Sequence, residues 1–174
     1  MKVLFLNYEY PPLGGGAANA TAELLEEFAK MPDMEVHLVT SALGNTLEKF
    51  LVEERVIVHR VPIGKNPENL HHQSLGDIVR YTWKAWRYSR KLIHSSATPF
   101  DVTLAFFGVP CGFLALLLRW EFHLPYVVSL RGSDVPGYSR KYAWLYPLLQ
   151  QIIRFVWRRA AAVVPNSQGL LELA

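Results

Sequence analysis

The 174-residue sequence predicts an α/β protein built on a doubly wound, Rossmann-like parallel sheet with helices on both faces. Three observations lead there. Six short runs rich in β-branched and aromatic residues recur along the chain, and several are apolar at successive positions, as strands covered on both faces require. Between most of them lie stretches with helical spacing, so strand and helix alternate. Right-handed crossovers then make the strands parallel and gather the loops that follow them at one edge, where such sheets bind their ligands.

The elements follow in order. "KVLFLNY" (2–8) opens the sheet, and Ala18, Ala22, Leu25 and Ala29 give the next segment an apolar helical stripe. "EVHLVTS" (35–41) and "VIVHRVP" (56–62) are the second and third strands, and "GDIVRYTWKAWRYSRKLIHSS" (76–96) is an amphipathic helix. "DVTLAFF" (101–107) and "YVVSLRG" (126–132) are the fourth and fifth strands. Leu145, Leu148, Leu149, Ile152 and Val156 mark the last helix before "AAVVPNS" (161–167), the sixth strand. The length suits one substantial core and is short for two α/β domains, so residues 1–174 are read as one domain.

Composition excludes several classes. With 51% hydrophobic and 19% charged residues and no repeat, the chain is an ordinary globular one and not a disordered segment. The amino terminus, "MKVLFLNYEYPP", has too short an apolar run for a secretory signal, and nothing approaches a spanning helix, so a cytoplasmic location is expected. The glycosylation-type triplet at Asn19 then carries no meaning. A lone Cys111 within "VPCGFLALLL" excludes an internal disulfide and a cysteine zinc site, leaving the role of a buried small apolar residue. Carboxylates of the Asp-x-Asp kind are absent, and the adjacent His71 and His72 fall in a loop, so no metal is expected.

Gly14, Gly15 and Gly16 stand between the first strand and the first helix. Lacking Cβ atoms, they let backbone N–H groups approach an anion, and the helix end behind them offers unpaired donors and a positive dipole end. The alternative is a tight turn that needs positive φ, for which one or two glycines suffice. Two familiar nucleotide loops do not fit. A dinucleotide fingerprint would put a glycine at Asn19 and an acidic residue near Thr40 and Ser41, and a P-loop would need a lysine within "AANAT".

Together, "YEYPPLGGGAANATAELLEEFAK", "EVHLVTS", "YVVSLRGSDVPGY" and "RAAAVVPNSQGLLELA" resemble the amino-terminal half of group 1 glycosyltransferases, retaining enzymes of the GT-B fold. The likeness runs from end to end of the chain. It implies one of two Rossmann-like domains facing each other across a cleft, with this half shaping the acceptor site. The other half, which in that family binds most of the nucleotide-sugar donor, would follow Ala174, so the chain alone is not expected to turn over.

Carried over by resemblance, Gly15 and Gly16, with Gly14, approach the donor diphosphate, and their amides stabilise the leaving nucleoside diphosphate without a metal. Arg131 and Asp134, in "SLRGSDVPGY", are the candidate catalytic residues. The family commonly has a histidine where Arg131 stands, and a guanidinium cannot serve as a base at neutral pH, though it can pair with a phosphate or an anionic acceptor. Asp134 either orients an acceptor hydroxyl or caps its loop. Glu9, Tyr10, Asn19, Ser133 and Asn166 are the candidate acceptor-binding residues. Tyr8 and Tyr10 either border the cleft or pack beneath the glycine loop, and Asn166 and Ser167 either floor the cleft or cap a helix.

On the helix 76–96, Ile78, Tyr81, Ala85, Leu92 and Ile93 share one face, while Arg80, Lys84, Arg87, Arg90 and Lys91 gather opposite, with Trp83 and Trp86 at one margin. Such a face suits an anionic lipid surface, where each basic residue gains roughly 1 kcal/mol. It would place the protein peripherally at the inner face of the membrane, near a lipid-linked or glycan acceptor. An ordinary sheet-covering helix with a solvated face is the alternative. The net charge of +3 adds to the first, and no RNA-binding motif or recognition helix points to nucleic acid. Two other classes remain: a non-catalytic membrane-surface module, which would have no use for the glycine loop, and another Rossmann-type nucleotide-binding enzyme, whose ribose-binding acid is missing.

Overall fold

A computed structural model of the chain describes residues 1–65, 70, 73–132 and 146–173. The strands are β1 (Lys2–Leu6), β2 (Glu35–Ala42), β3 (Glu48–Glu53), β4 (Val56–Pro62), β5 (Val102–Phe106), β6 (Tyr126–Leu130) and β7 (Ala162–Pro165). The helices are α1 (Gly16–Ala29), α2 (Leu75–Ser95), α3 (Phe113–Phe122), α4 (Tyr146–Arg159) and α5 (Gln168–Leu173). The seven strands form one sheet in the order β3-β4-β2-β1-β5-β6-β7, and every pairing is parallel except β3 with β4. The order reverses beside β1, so the loops after β1 and β5 lie at a topological switch point.

Continuous apolar runs serve both faces, as the strand pattern requires. In β1, Leu4 and Leu6 join the core under α2, α3 and α4, while Val3 and Phe5 join a second core under α1. Residues that alternate along the strand therefore feed two separate clusters, each closed to water. The apolar stripe of α1 is correspondingly narrow, with Ala18, Thr21 and Leu25 buried and Ala22 only partly so. Leu145, expected on the last helix, lies outside the described residues.

The sheet differs from expectation at one edge. Strand β3 is absent from the six expected runs and pairs antiparallel with β4, with a register shift at Leu51 and Glu53. Only alternate residues of β3 turn inward, so "EKFLVE" never builds the unbroken apolar run of an interior strand. Arg60 of β4 holds the hairpin, pairing with Glu48 at 3.2 Å and resting 4.8 Å from the Phe50 ring centre.

A polar chain crosses the sheet on its α2 side. Glu35 Oε1 lies 2.7 Å from His37 Nε2, His37 Nδ1 lies 3.0 Å from His59 Nε2, and His59 Nδ1 lies 2.8 Å from the Tyr88 hydroxyl. One arrangement satisfies every atom: the Tyr88 O–H donates to His59, the His59 Nε2–H donates to His37, and the His37 Nε2–H donates to Glu35, with both imidazoles neutral. Burial pulls both histidines below their ordinary pKa, His59 to about 3. Cys111 is buried as expected, its thiol 3.9 Å from the Tyr81 hydroxyl.

Candidate functional site

Parallel pairing brings the ends of β1, β4, β5, β6 and β7 to one edge of the sheet, and most of the expected site residues follow these ends. The segment after β1 is pinned first. Buried Asn7 donates to Glu9 O at 2.6 Å and to Thr21 Oγ1 at 2.7 Å, while its Oδ1 accepts from Glu9 N at 3.2 Å. A turn closed by Leu13 N donating to Tyr10 O at 2.9 Å returns the chain, and Gly14 N then donates to Leu70 O at 3.0 Å.

The three glycines have different reasons to be bare. Gly14 has φ +95°, and a Cβ there would stand 2.6 Å from the Glu9 Cβ, so both its conformation and its surroundings demand glycine. Gly15 has φ −136°, Gly16 opens α1, and a Cβ on either would meet nothing within 4 Å. No packing within the described residues excludes side chains there. What their absence leaves is clear access to the start of α1, which no side chain caps, its first internal bond running from Ala18 N to Gly15 O at 3.0 Å.

Glu9 lies against this loop, its Oε2 accepting from Gly15 N at 3.4 Å. Burial pushes its carboxyl above the ordinary value, offset in part by the Gly15 N–H, the Tyr8 hydroxyl and the Lys65 ammonium. Lys65, after β4, is itself buried, with Nζ 3.1 Å from both Asp77 Oδ2 and Gln73 Oε1. Asp77 and Ser74 form a capping box at the start of α2. Burial acts to raise the Asp77 carboxyl, but bonds from Ser74 and Lys65 outweigh it and hold the group below its usual value. Sequence reasoning missed this pair, although Ser74-x-x-Asp77 before an apolar-periodic segment is a legible capping signal.

Arg131 follows β6. Its guanidinium carbon lies 3.6 Å from the centre of the Phe106 ring, and burial lowers its pKa. It lines a cleft of about 480 Å³ with Ala20, Glu23, Leu24, Glu26 and Glu27, so it faces the acidic flank of α1. Ser133 and Asp134, like His71 and His72, lie outside the described residues. Asn19 is exposed on α1. Asn166 is exposed after β7, and the capping role falls to Ser167, whose Oγ accepts from Leu170 N at 3.3 Å.

Both tyrosines make ring contacts with their neighbours. Tyr8 rests 5.1 Å from the Phe107 ring and 6.1 Å from Tyr81, while Tyr10 stands 5.6 Å from the Arg60 guanidinium and 6.5 Å from Phe50. Phe107, at φ +69°, is a left-handed non-glycine residue directly after β5, a position the sequence pattern did not single out.

On α2 the basic face is only partly available. Arg90 pairs with Glu121 at 2.6 Å and lies 4.8 Å over Trp86, Lys84 donates to Pro62 O at 2.7 Å, and Arg80 reaches Asp77 at 3.5 Å. Trp83 is 57% exposed and, with Leu47, Val61, Lys84, Arg87 and Lys91, lines an apolar groove of about 410 Å³. A larger hollow of about 550 Å³ lies at the opposite edge, lined by Lys2, Asp33, Glu35, Arg55 and Asp101 among others, and contains none of the expected site residues. Among the described residues no helix is long and apolar enough to cross a membrane, and no three His, Cys, Asp or Glu side chains gather to hold a metal ion.

Residues 15–174 match the family model described as a glycosyl transferase 4-like domain. An uncharacterized glycosyltransferase of Methanocaldococcus jannaschii, MJ1178, is 25% identical over 134 residues, which are 77% of this chain and 33% of that protein. The matched part thus spans about a third of the curated relative. Among solved structures, sucrose-phosphate synthase from Thermosynechococcus elongatus superposes with a TM-score of 0.65 at 10% identity, covering 98% of this chain and 79% of that one. The catalytic domain of starch synthase IV from Arabidopsis thaliana, bound to ADP and acarbose, gives 0.52 at 13% identity, covering 76% and 34%. The fold is that of a GT-B glycosyltransferase domain.

Proposed function

The chain belongs to the glycosyl transferase 4-like domain family, and from that premise we propose that it is the amino-terminal, acceptor-side domain of a retaining glycosyltransferase. The complete enzyme transfers a sugar from a nucleotide-sugar donor to a glycan or lipid-linked acceptor. A second Rossmann-like domain, closing over the glycine loop, completes the donor site. One observation carries this reading: Gly15 and Gly16 are bare although no packing among the described residues requires it. Clear space at an uncapped helix start is what a diphosphate needs to reach backbone amides. As the donor bond breaks, the leaving diphosphate gains negative charge, and fixed N–H dipoles stabilise it without a metal ion. Arg131, from the end of β6 two strands along, supplies a permanent positive charge at the same edge and takes no proton.

The test is Gly15→Val and Gly16→Val in the complete enzyme. Each valine projects into the space the phosphate needs, while the chain around it has room. Losing an oxyanion-type donor costs about 2.7–4 kcal/mol of activation energy, so turnover should fall roughly a hundredfold or more with the melting temperature unchanged. Turnover near wild type would reduce the loop to a turn.

The groove beside Trp83 favours a further element of this function, docking on an anionic lipid surface that carries the acceptor. Exposed Trp83 and Leu47 supply apolar contact, and Arg87 and Lys91 are solvent-facing charges of the required sign. Arg87→Glu with Lys91→Glu should abolish co-sedimentation with phosphatidylglycerol vesicles. Equal binding to phosphatidylcholine vesicles, or none to either, would remove the membrane from the account.

A further inference from the structure

One of the amides proposed for the diphosphate, that of Gly15, already donates to a carboxylate of the chain itself, that of Glu9. Its Oε2 accepts from Gly15 N at 3.4 Å, and a Cβ on Gly14 would come within 2.6 Å of the same oxygen. The Glu9 backbone is clamped on both sides by Asn7, which donates to its carbonyl and accepts from its amide. Asn7 is in turn tied to α1 through Thr21. The main chain at Glu9 is therefore held against α1, leaving a change of rotamer or of protonation as its response to a ligand.

The groups that act on this carboxylate come from three elements. Gly15 offers its amide from the start of α1, Tyr8 its hydroxyl from the segment after β1, and Lys65 its charge from the end of β4. Lys65 is shared, because Asp77 and Gln73 hold its ammonium. A diphosphate on the Gly15 and Gly16 amides would set two negative charges against Glu9 in a half-buried site. Like charges so placed do not both stay ionised, and the weaker acid takes up a proton. Burial has already moved Glu9 in that direction. Once neutral, the carboxyl becomes a hydrogen-bond donor instead of a rival acceptor.

We propose that Glu9 is a placeholder for the donor diphosphate, a carboxylate that accepts from the Gly15 amide and is displaced, with uptake of one proton from solvent, when a nucleotide-sugar binds. The proposal rests on the phosphate role of the glycine loop and adds to it a residue that positions the charge. Donor affinity should accordingly weaken as pH rises between the Glu9 pKa of the free enzyme and that of the complex.

Calorimetry on the complete enzyme, in two buffers of different ionisation enthalpy, counts the protons. UDP-glucose, GDP-mannose and ADP-glucose serve as probes, since their esterified diphosphates do not titrate near neutrality. Wild type should take up close to one proton per nucleotide-sugar, with affinity falling by up to about tenfold per pH unit within the window. Glu9→Gln should bind with no proton uptake, a flat pH profile and tighter binding than wild type at the alkaline end. Glu9→Ala should do the same, which keeps the test decisive if the glutamine variant misfolds. No proton uptake by wild type, or wild-type uptake by Glu9→Gln, would overturn the placeholder role. Gly16→Val separates the two levels. If it binds nucleotide-sugar as wild type does, the phosphate reading itself fails; if it loses binding while Glu9→Gln keeps wild-type proton uptake, only the placeholder falls.

Discussion

At the amino-terminal edge of the sheet the polar groups are spent on one another; at the carboxyl edge several face open space. Lys2 alone reaches Ser96 at 2.7 Å, Thr98 at 3.2 Å and Glu35 at 3.0 Å, its amide donates to Asp101 at 2.6 Å, and the amino terminus donates to Asp33 O. Glu35 passes the connection inward through His37 and His59 to Tyr88. At the other edge, the start of α1 has no side-chain cap, Arg131 lines a cleft and Asn166 is exposed. Polar groups that satisfy one another contribute stability and leave nothing for a ligand. Groups left facing a cleft cost stability and are what a ligand completes.

The sharpest way to break this contrast is at its exception, the buried Lys65–Asp77 pair, which belongs to the carboxyl edge but is closed like the other. Asp77→Ala removes both the capping carboxylate and the partner of a buried ammonium. A loss of about 3–5 kcal/mol in chemical denaturation is expected. A loss under about 1 kcal/mol would show that Lys65 is satisfied without Asp77 and that the edge is more open than its geometry indicates.

Acid should act on the closed edge next. An unfolded histidine titrates near its ordinary value, but His37 and His59 are held lower in the fold, so below about pH 6.5 the unfolded chain binds protons that the native one does not. Their contribution is present above that pH and is lost as pH falls towards about 3, the value for His59. Glu35 adds to the same trend, since its hydrogen bond from His37 holds its carboxyl below the ordinary value. Stability should drop on the order of 1 kcal/mol per pH unit below neutrality. His37→Phe with His59→Phe should flatten that slope in melting curves; an unchanged slope would place the acid-labile groups elsewhere.

The smallest effect belongs to the surface. Arg90 and Glu121 are partly exposed, so Arg90→Ala should cost under about 1 kcal/mol despite the short 2.6 Å contact, and less at high salt. A larger loss would mean that stacking on Trp86 carries the energy, which Arg90→Met would restore in part.

The interior strands were legible because burial on both faces writes itself into consecutive residues, as in "KVLFL" and "YVVSL". Strand β3 was not, because a half-exposed edge strand depends on its partner; Phe50 and Val52 turn inward while Leu51 is 62% exposed. The glycine loop was legible as three bare residues, but the division of labour among them was not. It depends on φ at Gly14 and on the Glu9 side chain, which the turn through Tyr10 and Leu13 folds back onto the loop. The approach of Lys65 to Glu9 spans fifty-odd residues and arises only because β4 ends at the same edge as β1. Helical periodicity on α2 placed the basic face correctly, yet could not show that Arg90, Lys84 and Arg80 are engaged with α3, β4 and α2 itself.

The antiparallel strand β3 also bears on how the chain behaves in a crowded solution. Were it missing, β4 would present a row of unpaired N–H and C=O groups, a template for another copy of the chain to extend the sheet. β3 covers that row and substitutes an edge bearing Glu48, Lys49 and Glu53, with a register break that twists it away from flat stacking. At the far side, β7 limits the same hazard by brevity, four residues ending in Pro165. A deletion that trims the β3–β4 hairpin should therefore show itself first as insoluble aggregate, before any loss of the sheet's own order.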